Sequence, residues 1–235
     1  MDQYIFVSEL MREGAIASHG VPRSITSVIP NIVRTEMLAL EKTPKAAKTI
    51  GFVGTVPQMK RLDRAISVLE AILEEDPDFT LRVKGKRPED YSWMLKREHE
   101  MAWYGECYER AKVLNDRHGR EVVAFDPYGN DMAEWYRGIG YGISLSDHES
   151  FHLTLPDVAA SGGVPVSLDW PGADLIYPRE WLVPSPEHMA RRILGLSRAE
   201  DERRMFSADA AKFARERFDE RNIFDQLDIT LSPGL

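Results

Sequence analysis

Two carboxylates, Glu149 and Asp157, stand on either side of a seven-residue stretch in the second half of the chain. An apolar run that predicts a strand precedes the stretch, and Pro156 within it suits the first turn of a helix. In open parallel sheets, ligands bind beyond the carboxyl ends of the strands. A loop between such a strand and such a helix offers backbone amides as well as the carboxylates, so these residues predict a binding site.

The same stretch contains the pattern His148-Glu149-x-x-His152, which resembles the metal-binding pattern of zinc proteases. That pattern works on a helix, where side chains four positions apart share one face. Here a predicted strand ends just before it, and Pro156 would interrupt a helix that continued past His152. The residues therefore favour a site without metal, and a metal-dependent hydrolase is the weaker alternative.

A second predicted strand ends in a glycine loop. Residues 49–53 are mostly apolar, Gly54 follows them, and Lys60 comes six positions later. Glycine lets a ligand approach the backbone closely, and the amides at the start of a following helix favour an anion such as phosphate. The spacing matches neither the Walker loop nor Gly-x-Gly-x-x-Gly. The alternative is that Gly54 only shapes a turn.

A basic cluster follows a third predicted strand and contains Lys84, Lys86 and Arg87. Cations at a strand end could face phosphate groups in the same crevice. The alternative is a solvated turn that binds nothing.

Six short apolar runs along the chain predict the strands that position these loops. Helical patterns separate most of the runs, which predicts an α/β, Rossmann-like fold with a mainly parallel six-stranded sheet and helices on both faces. Residues 89–117, rich in charged and aromatic side chains, predict one or two long helices that pack on the sheet edge or face a partner. The candidate strands are residues 49–53, 79–83, 122–125, 143–145, 164–168 and 181–183.

The composition narrows the classes of partner. A net charge of −8 argues against a general nucleic-acid partner. The single cysteine, Cys107, can form no internal disulfide. No apolar run approaches the ~20 residues that span a bilayer, and the first residues lack the pattern of an export signal. We therefore expect a cytoplasmic location, with any peripheral membrane contact made through a partner.

Together these loops resemble the C-terminal, donor-binding domain of retaining glycosyltransferases of the family 4 type, whose GT-B architecture has two facing Rossmann-like domains. By that resemblance, residues 1–40 look like a remnant of the acceptor domain with its crossing linker, and residues 41–235 like the nucleotide-sugar-binding domain. The residues that carry the resemblance are Gly51-Phe52-Val53-Gly54 with Lys60, Glu149 to Leu153 with Asp157, and Val164-Pro165-Val166.

The resemblance implies a role for each loop. Glu149 and Lys60 are the implied catalytic residues, with Glu149 facing the donor sugar and Lys60 neutralising the diphosphate leaving group. Asp157 would hold the ribose, because a carboxylate can accept two hydrogen bonds from neighbouring hydroxyls. No metal or cofactor is implied, since the nucleotide-diphosphate sugar is itself the substrate. The other implied donor-binding residues are Gly54, Thr55, Lys84, Ser150, Phe151, His152 and Leu153.

The implied function is transfer of a sugar to a saccharide or glycolipid acceptor, as in polysaccharide biosynthesis. Three departures bear on it. Thr55 stands where the family usually has arginine, with Arg61, Lys84 or Lys86 as possible substitutes, and Asp157 replaces a glutamate. The acceptor domain is nearly absent, so we expect a separate acceptor-domain chain or a second copy as partner. The alternative function is a non-catalytic nucleotide-sugar-binding or protein-interaction module.

Overall fold

The computed structural model describes residues 3–231, so Met1, Asp2 and residues 232–235, which the predicted domain boundaries include, lie outside the described residues. Strands in the described part form a two-stranded sheet and a six-stranded sheet. They are β1 (Tyr4–Phe6), β2 (Thr26–Val28), β3 (Thr49–Val53), β4 (Thr80–Lys84), β5 (Val123–Asp126), β6 (Tyr141–Ser144), β7 (Val164–Leu168) and β8 (Leu182–Val183).

The six-stranded sheet has the order β5-β4-β3-β6-β7-β8, and all its neighbouring strands run parallel, which confirms the predicted fold class. At its centre, Ile50 of β3 lies opposite Leu81 on one side and Tyr141 on the other. The chain builds the β3–β5 half first and then returns to place β6 beside β3. Such a reversal of strand order leaves a crevice beyond the carboxyl ends of the two central strands.

Helices cover both faces of this sheet. None of the helices within residues 3–231 combines the length and apolarity that crossing a membrane requires. The helices are α1 (Glu9–His19), α2 (Thr35–Leu38), α3 (Leu62–Leu73), α4 (Glu98–His118), α5 (Met132–Arg137), α6 (Thr154–Ala160), α7 (Pro186–Arg198), α8 (Glu200–Phe218) and α9 (Glu220–Leu231).

The alternation of side chains along β3 separates two apolar cores. Ile50 and Phe52 enter the core that α3, α4 and α7 share, whereas Val53 packs toward the core built by α5, α6 and α8. This period of two is the ordinary geometry of a strand that is covered on both faces. The two cores fix the sheet between two helical layers.

Gly142 of β6 sets how closely α6 approaches the sheet. A Cβ atom at Gly142 would lie 2.1 Å from Cγ2 of Val158 on α6, which is far inside van der Waals contact. Only glycine permits this approach. The close packing fixes the height of α6, and with it Asp157, above the crevice.

The prediction of long helices over residues 89–117 was partly wrong. The α-helix starts only at Glu98, and the residues before it form two short 3₁₀ turns, Pro88–Asp90 and Met94–Lys96. Pro88 and Met94 are buried and hold this segment against the domain as a folded loop. The helix then ends where Gly119 adopts φ +61°, a usual helix terminus.

The first described residues form a small unit of their own, in which β1 pairs with β2 and α1 connects them. The Ser8 hydroxyl accepts from the amide of Met11 to begin α1, and no residue of α1 is buried. Further on, the amide of Val33 donates to the carbonyl of Phe218 at 2.8 Å. This unit lies within residues 1–40, the predicted acceptor-domain remnant, and the domain boundary at residue 40 stays a prediction.

Candidate functional site

Lys60 and Glu149 meet in the crevice beyond β3 and β6. Lys60 ends a 3₁₀ turn that follows β3, and Glu149 lies on the loop after β6. Nζ of Lys60 lies 2.5 Å from Oε1 of Glu149, and the Ser146 hydroxyl donates to the same oxygen at 2.7 Å. The two charged side chains are only 18% and 10% exposed. The structure thus brings together the two residues predicted to be catalytic.

The charges of this pair follow from its surroundings. Burial alone would raise the pKa of Glu149, but charge on His152, the Lys60 ammonium and the Ser146 hydroxyl bring that pKa below its ordinary value. Burial lowers the pKa of His152 to about 4, so its ring is uncharged at neutral pH. At neutral pH, therefore, Lys60 and Ser146 are the groups that hold Glu149 as a carboxylate.

The glycine loop brings the ends of β3 and β4 into contact. Gly54 has φ +83° and donates its amide hydrogen to the carbonyl of Lys84 at 2.9 Å. A Cβ atom at Gly85 would lie 3.4 Å from the backbone of Gly54. The left-handed conformation at Gly54 favours glycine. The glycine loop therefore presents backbone without side chains beside the Lys60–Glu149 pair.

Thr55, a predicted donor-binding residue, is buried and engaged within the protein. Its hydroxyl donates to the carbonyl of Lys86 at 2.9 Å, and its own carbonyl accepts from the Tyr104 hydroxyl at 3.0 Å. The threonine therefore ties the glycine loop to the loop after β4. Its side chain does not supply the charge of the arginine that the family usually has there.

Two of the three cations considered as substitutes for that arginine are already paired. The ammonium of Lys84 is buried and lies 2.9 Å from the carboxylate of Asp131, beyond β5. Arg61 contacts Asp63 at 2.7 Å and Asp147 at 3.3 Å. The structure thus places Lys84 and Arg61 in ion pairs outside the Lys60–Glu149 cluster.

Within residues 3–231, the loop of residues 150–153 has backbone amides without backbone acceptors, while its Phe151 and His152 side chains are buried. Phe151 is buried against Phe218, while Ser150 and Leu153 are exposed. The Tyr177 hydroxyl donates to the carbonyls of Phe151 and His152 and so anchors the loop to the rest of the protein. Within the described part of the chain, none of the amides of residues 150–153 donates to a backbone carbonyl. These amides remain as donors for an anion or a sugar hydroxyl.

His152 turns its side chain into the protein. It adopts φ +63°, and its Nδ1 lies 2.7 Å from the Ser144 hydroxyl. Residues 145–152 are not helical, so His148 and His152 do not share a helical face. No group of three or more His, Cys, Asp or Glu side chains within residues 3–231 could hold a metal ion. The zinc-protease pattern thus lacks the helix on which it depends.

Asp157 lies on the first half of α6 with most of its acceptor capacity unused. The Tyr136 hydroxyl donates to it at 3.4 Å, a long hydrogen bond, and no other side chain within residues 3–231 bonds to its carboxylate. Burial raises the pKa of Asp157 to about 7, although the bond from Tyr136 acts to lower it. A carboxylate with free lone pairs can accept from a pair of hydroxyls.

Lys42 fixes the two helices that carry Tyr136 and Asp157. Its ammonium donates to the carbonyls of Tyr136 and Ile139, each at 2.7 Å, and to the Ser161 hydroxyl at 2.9 Å. These acceptors lie at the carboxyl ends of α5 and α6, where a cation is favourable. Burial lowers the pKa of Lys42 to about 7. The lysine therefore connects the linker to both helices.

Several residues of the site were not predicted. Ser146 carried a local signal, because it directly follows a predicted strand within the loop already singled out. Tyr136 and Tyr177 carried none, since each reaches its partner from 20 or more residues away in the sequence. Such contacts depend on the tertiary fold and leave no periodic pattern.

Comparisons with known proteins identify the family and the fold of the chain. The profile of the family described as Glycosyl transferases group 1 matches residues 47–199. HepE from Anabaena, solved with UDP and glucose, superposes with a TM-score of 0.80 at 16% identity, over 99% of this chain and 63% of that one. Comparison with curated protein sequences found no match.

Two further solved structures share this fold. A TarM variant from S. aureus, solved with UDP, Fondaparinux and alpha-GlcNAc-glycerol, superposes with a TM-score of 0.74 at 18% identity, over 98% of this chain and 44% of that one. Sucrose-phosphate synthase from Thermosynechococcus elongatus superposes with a TM-score of 0.72 at 17% identity, over 97% and 57%. This chain therefore spans less than two thirds of each of these proteins. Because the family profile covers more than half of it, the chain belongs to the glycosyl transferases group 1 family.

Proposed function

We propose that this chain is the donor-binding half of a glycosyltransferase that moves a sugar from a nucleotide-diphosphate sugar to a saccharide or glycolipid acceptor. The observation that carries the proposal is the Lys60–Glu149 pair at the strand-order reversal, with nitrogen and oxygen 2.5 Å apart. A half-buried cation near unpaired backbone amides suits a diphosphate. The adjoining carboxylate suits a sugar hydroxyl.

In this proposal the residues act on the donor at different points. Lys60 and the amides of residues 151–153 stabilise the negative charge that develops on the diphosphate as the glycosidic bond breaks. The diphosphate must then draw the ammonium of Lys60 away from Glu149, which leaves that carboxylate to the donor sugar. Asp157 accepts from the ribose hydroxyls. The donor is a substrate, and the proposal includes no separate cofactor.

The comparisons support a nucleotide-sugar donor. HepE was solved with UDP-glucose, and the pneumococcal O-GlcNAc transferase GtfA with UDP and GlcNAc. Both have the fold of this chain at 16% and 19% identity. We assign the same class of donor to this chain because Lys60, Glu149 and Asp157 lie beyond the carboxyl ends of its central strands, where parallel sheets bind ligands.

The acceptor side requires a second unit. This chain spans 63% of the length of HepE. We propose that another chain, a second copy or a further domain completes the cleft. One observation favours the alternative of a non-catalytic binding module, because the Thr55 hydroxyl is engaged with the Lys86 carbonyl and supplies no phosphate charge.

The test is to titrate the chain with uridine and guanosine diphosphates and with their sugar conjugates, followed by calorimetry. We expect Glu149→Gln to lower the affinity for the sugar conjugate about tenfold more than the affinity for the free diphosphate. The reason is that a hydrogen bond to a charged group is lost only when the sugar is bound. Asp169→Asn, which changes a carboxylate that pairs with Arg179 on the surface, is the matched control. An equal loss for the free diphosphate and the sugar conjugate would contradict the assignment of Glu149.

A further inference from the structure

Lys42 reaches from the connection between α2 and β3 to the carboxyl ends of two helices at once. Its ammonium donates to the carbonyls of Tyr136 and Ile139, at the end of α5, and to the Ser161 hydroxyl, at the end of α6. The Ser161 hydroxyl donates in turn to the carbonyl of Val158. An ammonium has three hydrogens, and here each of them has an acceptor. The lysine is therefore a shared cap of α5 and α6.

The two helices that Lys42 joins are too short to hold their positions by themselves. The helix α5 has six residues and α6 has seven, whereas isolated helices shorter than ~12–15 residues are marginal in water. Their positions therefore come from tertiary contacts. On α6, the close approach of Val158 to Gly142 sets the distance from the sheet. The hydrogen bond from Lys42 to Ser161 adds a second fixed point at the end of the same helix.

Both sequence neighbours of Lys42 are bonded to the end of α5 as well. The amide of Thr43 donates to the carbonyl of Arg137 at 3.0 Å, and the guanidinium of Arg137 donates to the carbonyl of Glu41 at 2.9 Å. Lys42 thus extends from a backbone segment that is itself attached to the helix. The ammonium is held from both directions, by this backbone and by its three acceptors.

The two capped helices carry the two members of one contact in the crevice. Tyr136 of α5 donates its hydroxyl to the carboxylate of Asp157 on α6 at 3.4 Å. That hydrogen bond is already long, so a small shift of either helix would break it and free the carboxylate to turn. A carboxylate accepts from two neighbouring hydroxyls only when its oxygens face both of them. The orientation of Asp157 therefore depends on the cap that Lys42 provides.

We propose that Lys42 is a positioning residue for Asp157 and so sets the preference of the site for a nucleotide with both ribose hydroxyls. The inference rests on the proposed function, in which Asp157 accepts from the ribose, and it assigns that selectivity to a residue that does not touch the donor. Lys42 lies at the amino-terminal edge of the sheet, because its acceptor Ile139 comes just before β6. The donor crevice lies beyond the opposite edge, at the carboxyl ends of the strands.

The experiment compares the affinities for uridine diphosphate and 2′,3′-dideoxyuridine diphosphate by calorimetry, with the corresponding guanosine pair in parallel. We call the ratio of the two affinities the ribose preference. The parent chain should prefer the ribonucleotide about tenfold or more, because the hydrogen bonds to the carboxylate need the hydroxyls. Lys42→Met, which keeps the length of the side chain without its donors, should reduce the ribose preference to about twofold. Lys45→Met, at an exposed lysine of the same connection, is the matched control and should keep the preference of the parent.

A second variant carries the test if Lys42→Met does not fold. Ser161→Ala removes only the acceptor on α6 and leaves the lysine bonded to α5. It should lower the ribose preference about threefold, less than Lys42→Met, because one of three hydrogen bonds is lost. Urea unfolding of each variant establishes that the samples used for calorimetry are folded.

Asp157→Asn separates positioning from a general effect on the fold. In that background, adding Lys42→Met should change the affinity for neither nucleotide, because the residue through which Lys42 acts is gone. A lysine that only stabilised the fold would lower both affinities, with or without Asp157. An equal loss for the ribonucleotide and the dideoxyribonucleotide in Lys42→Met would therefore overturn the proposal.

The same titrations distinguish failure of this inference from failure of the proposed function. A ribose preference that Asp157→Asn abolishes, but that folded Lys42→Met and Ser161→Ala both keep, would reject the role of Lys42 and leave the donor site as proposed. A parent chain that binds both nucleotides equally would reject the ribose contact of Asp157 and this inference with it. A folded parent chain that binds no nucleotide would reject the donor site itself.

Discussion

Under the proposed function, the Lys60–Glu149 pair is the contact that the donor replaces. Without donor, each charge satisfies the other at 2.5 Å in partly buried surroundings. A lone charge in such a place is costly, so removal of either partner leaves the other uncompensated. A diphosphate can replace Glu149 as the partner of Lys60, and a sugar hydroxyl can replace Lys60 as the partner of Glu149. On this proposal, the ion pair holds the two charged side chains together until the donor binds.

Asp157 predicts a pH dependence of donor binding. Its pKa of about 7 means that the carboxylate, the form that accepts two hydroxyl donors, becomes abundant only as the pH rises through 7. We expect the affinity for a nucleotide-diphosphate sugar to rise about tenfold between pH 6 and 8, following the ionised fraction. Calorimetry in matched buffers measures this affinity at each pH. Asp157→Asn should bind the nucleotide-diphosphate sugar weakly, and its affinity should not rise with pH. A flat profile in the parent chain would contradict this role.

The same shift predicts an effect on folding stability. Between the ordinary carboxyl pKa near 4 and about 7, folded Asp157 binds a proton that the unfolded chain has released. Its contribution to the free energy of unfolding therefore falls as the pH rises across that range. Asp157→Asn should accordingly be more stable than the parent chain at pH 8 in urea unfolding, with a difference that shrinks toward pH 4.

At the scale of elements, packing decides where the site residues lie. Gly142 of β6 permits α6 to rest on the sheet, and α6 carries Asp157. We expect Gly142→Ala to lower the free energy of unfolding by about 2 kcal/mol, because the new methyl group would overlap Val158. It should also weaken nucleotide binding by displacing α6.

Gly195→Ala is the matched control for that substitution. Gly195 lies within α7, and nothing is found within 4 Å of a Cβ atom at this position. Alanine there should raise the stability by about 1 kcal/mol, because glycine is unfavourable in a helix interior. Urea unfolding of both variants compares them, and a Gly142→Ala protein as stable as the parent would show that α6 does not depend on this close approach.

The elements also show which parts of the fold could be predicted from the sequence. Continuous apolar runs located the strands of the six-stranded sheet to within a few residues, because buried parallel strands have that composition. The segment of residues 88–97 contains two short 3₁₀ turns. Its charged and aromatic residues have no regular spacing, so the sequence did not predict these turns. The strand-end loops were found because glycine, lysine and carboxylates stand directly after those runs. The long-range partners Tyr136, Tyr177 and Lys42 were not, because no local pattern encodes them.

At the scale of the whole molecule, the unit formed by β1, α1 and β2 leaves apolar side chains in water. Tyr4 and Met11 belong to it, and Met37 follows in the connection to β3. We expect the chain to associate through this unit, with an acceptor unit or with a second copy, because exposed apolar surface favours association. Sedimentation velocity should show a concentration-dependent increase in mass, and a dye for exposed apolar surface should bind.

Substitutions test whether this unit causes the association. Tyr4→Ser with Met11→Ser should reduce it, whereas Phe224→Ser, an exposed apolar position on α9, should not. A monomer at all concentrations, with no binding of the dye, would show that the exposed side chains of this unit do not drive association.

The account depends most directly on whether the crevice between β3 and β6 binds the diphosphate of a donor. The decisive measurement is a calorimetric titration of the parent chain and of Lys60→Ala with nucleoside diphosphates and with the matching nucleosides, with Lys45→Ala, an exposed lysine, as control. We predict that Lys60→Ala lowers the affinity for the diphosphate by about tenfold or more and leaves the affinity for the nucleoside unchanged. Only the diphosphate would contact the ammonium. Equal affinity of the parent and Lys60→Ala for every diphosphate, or no binding by the folded parent chain, would contradict the account.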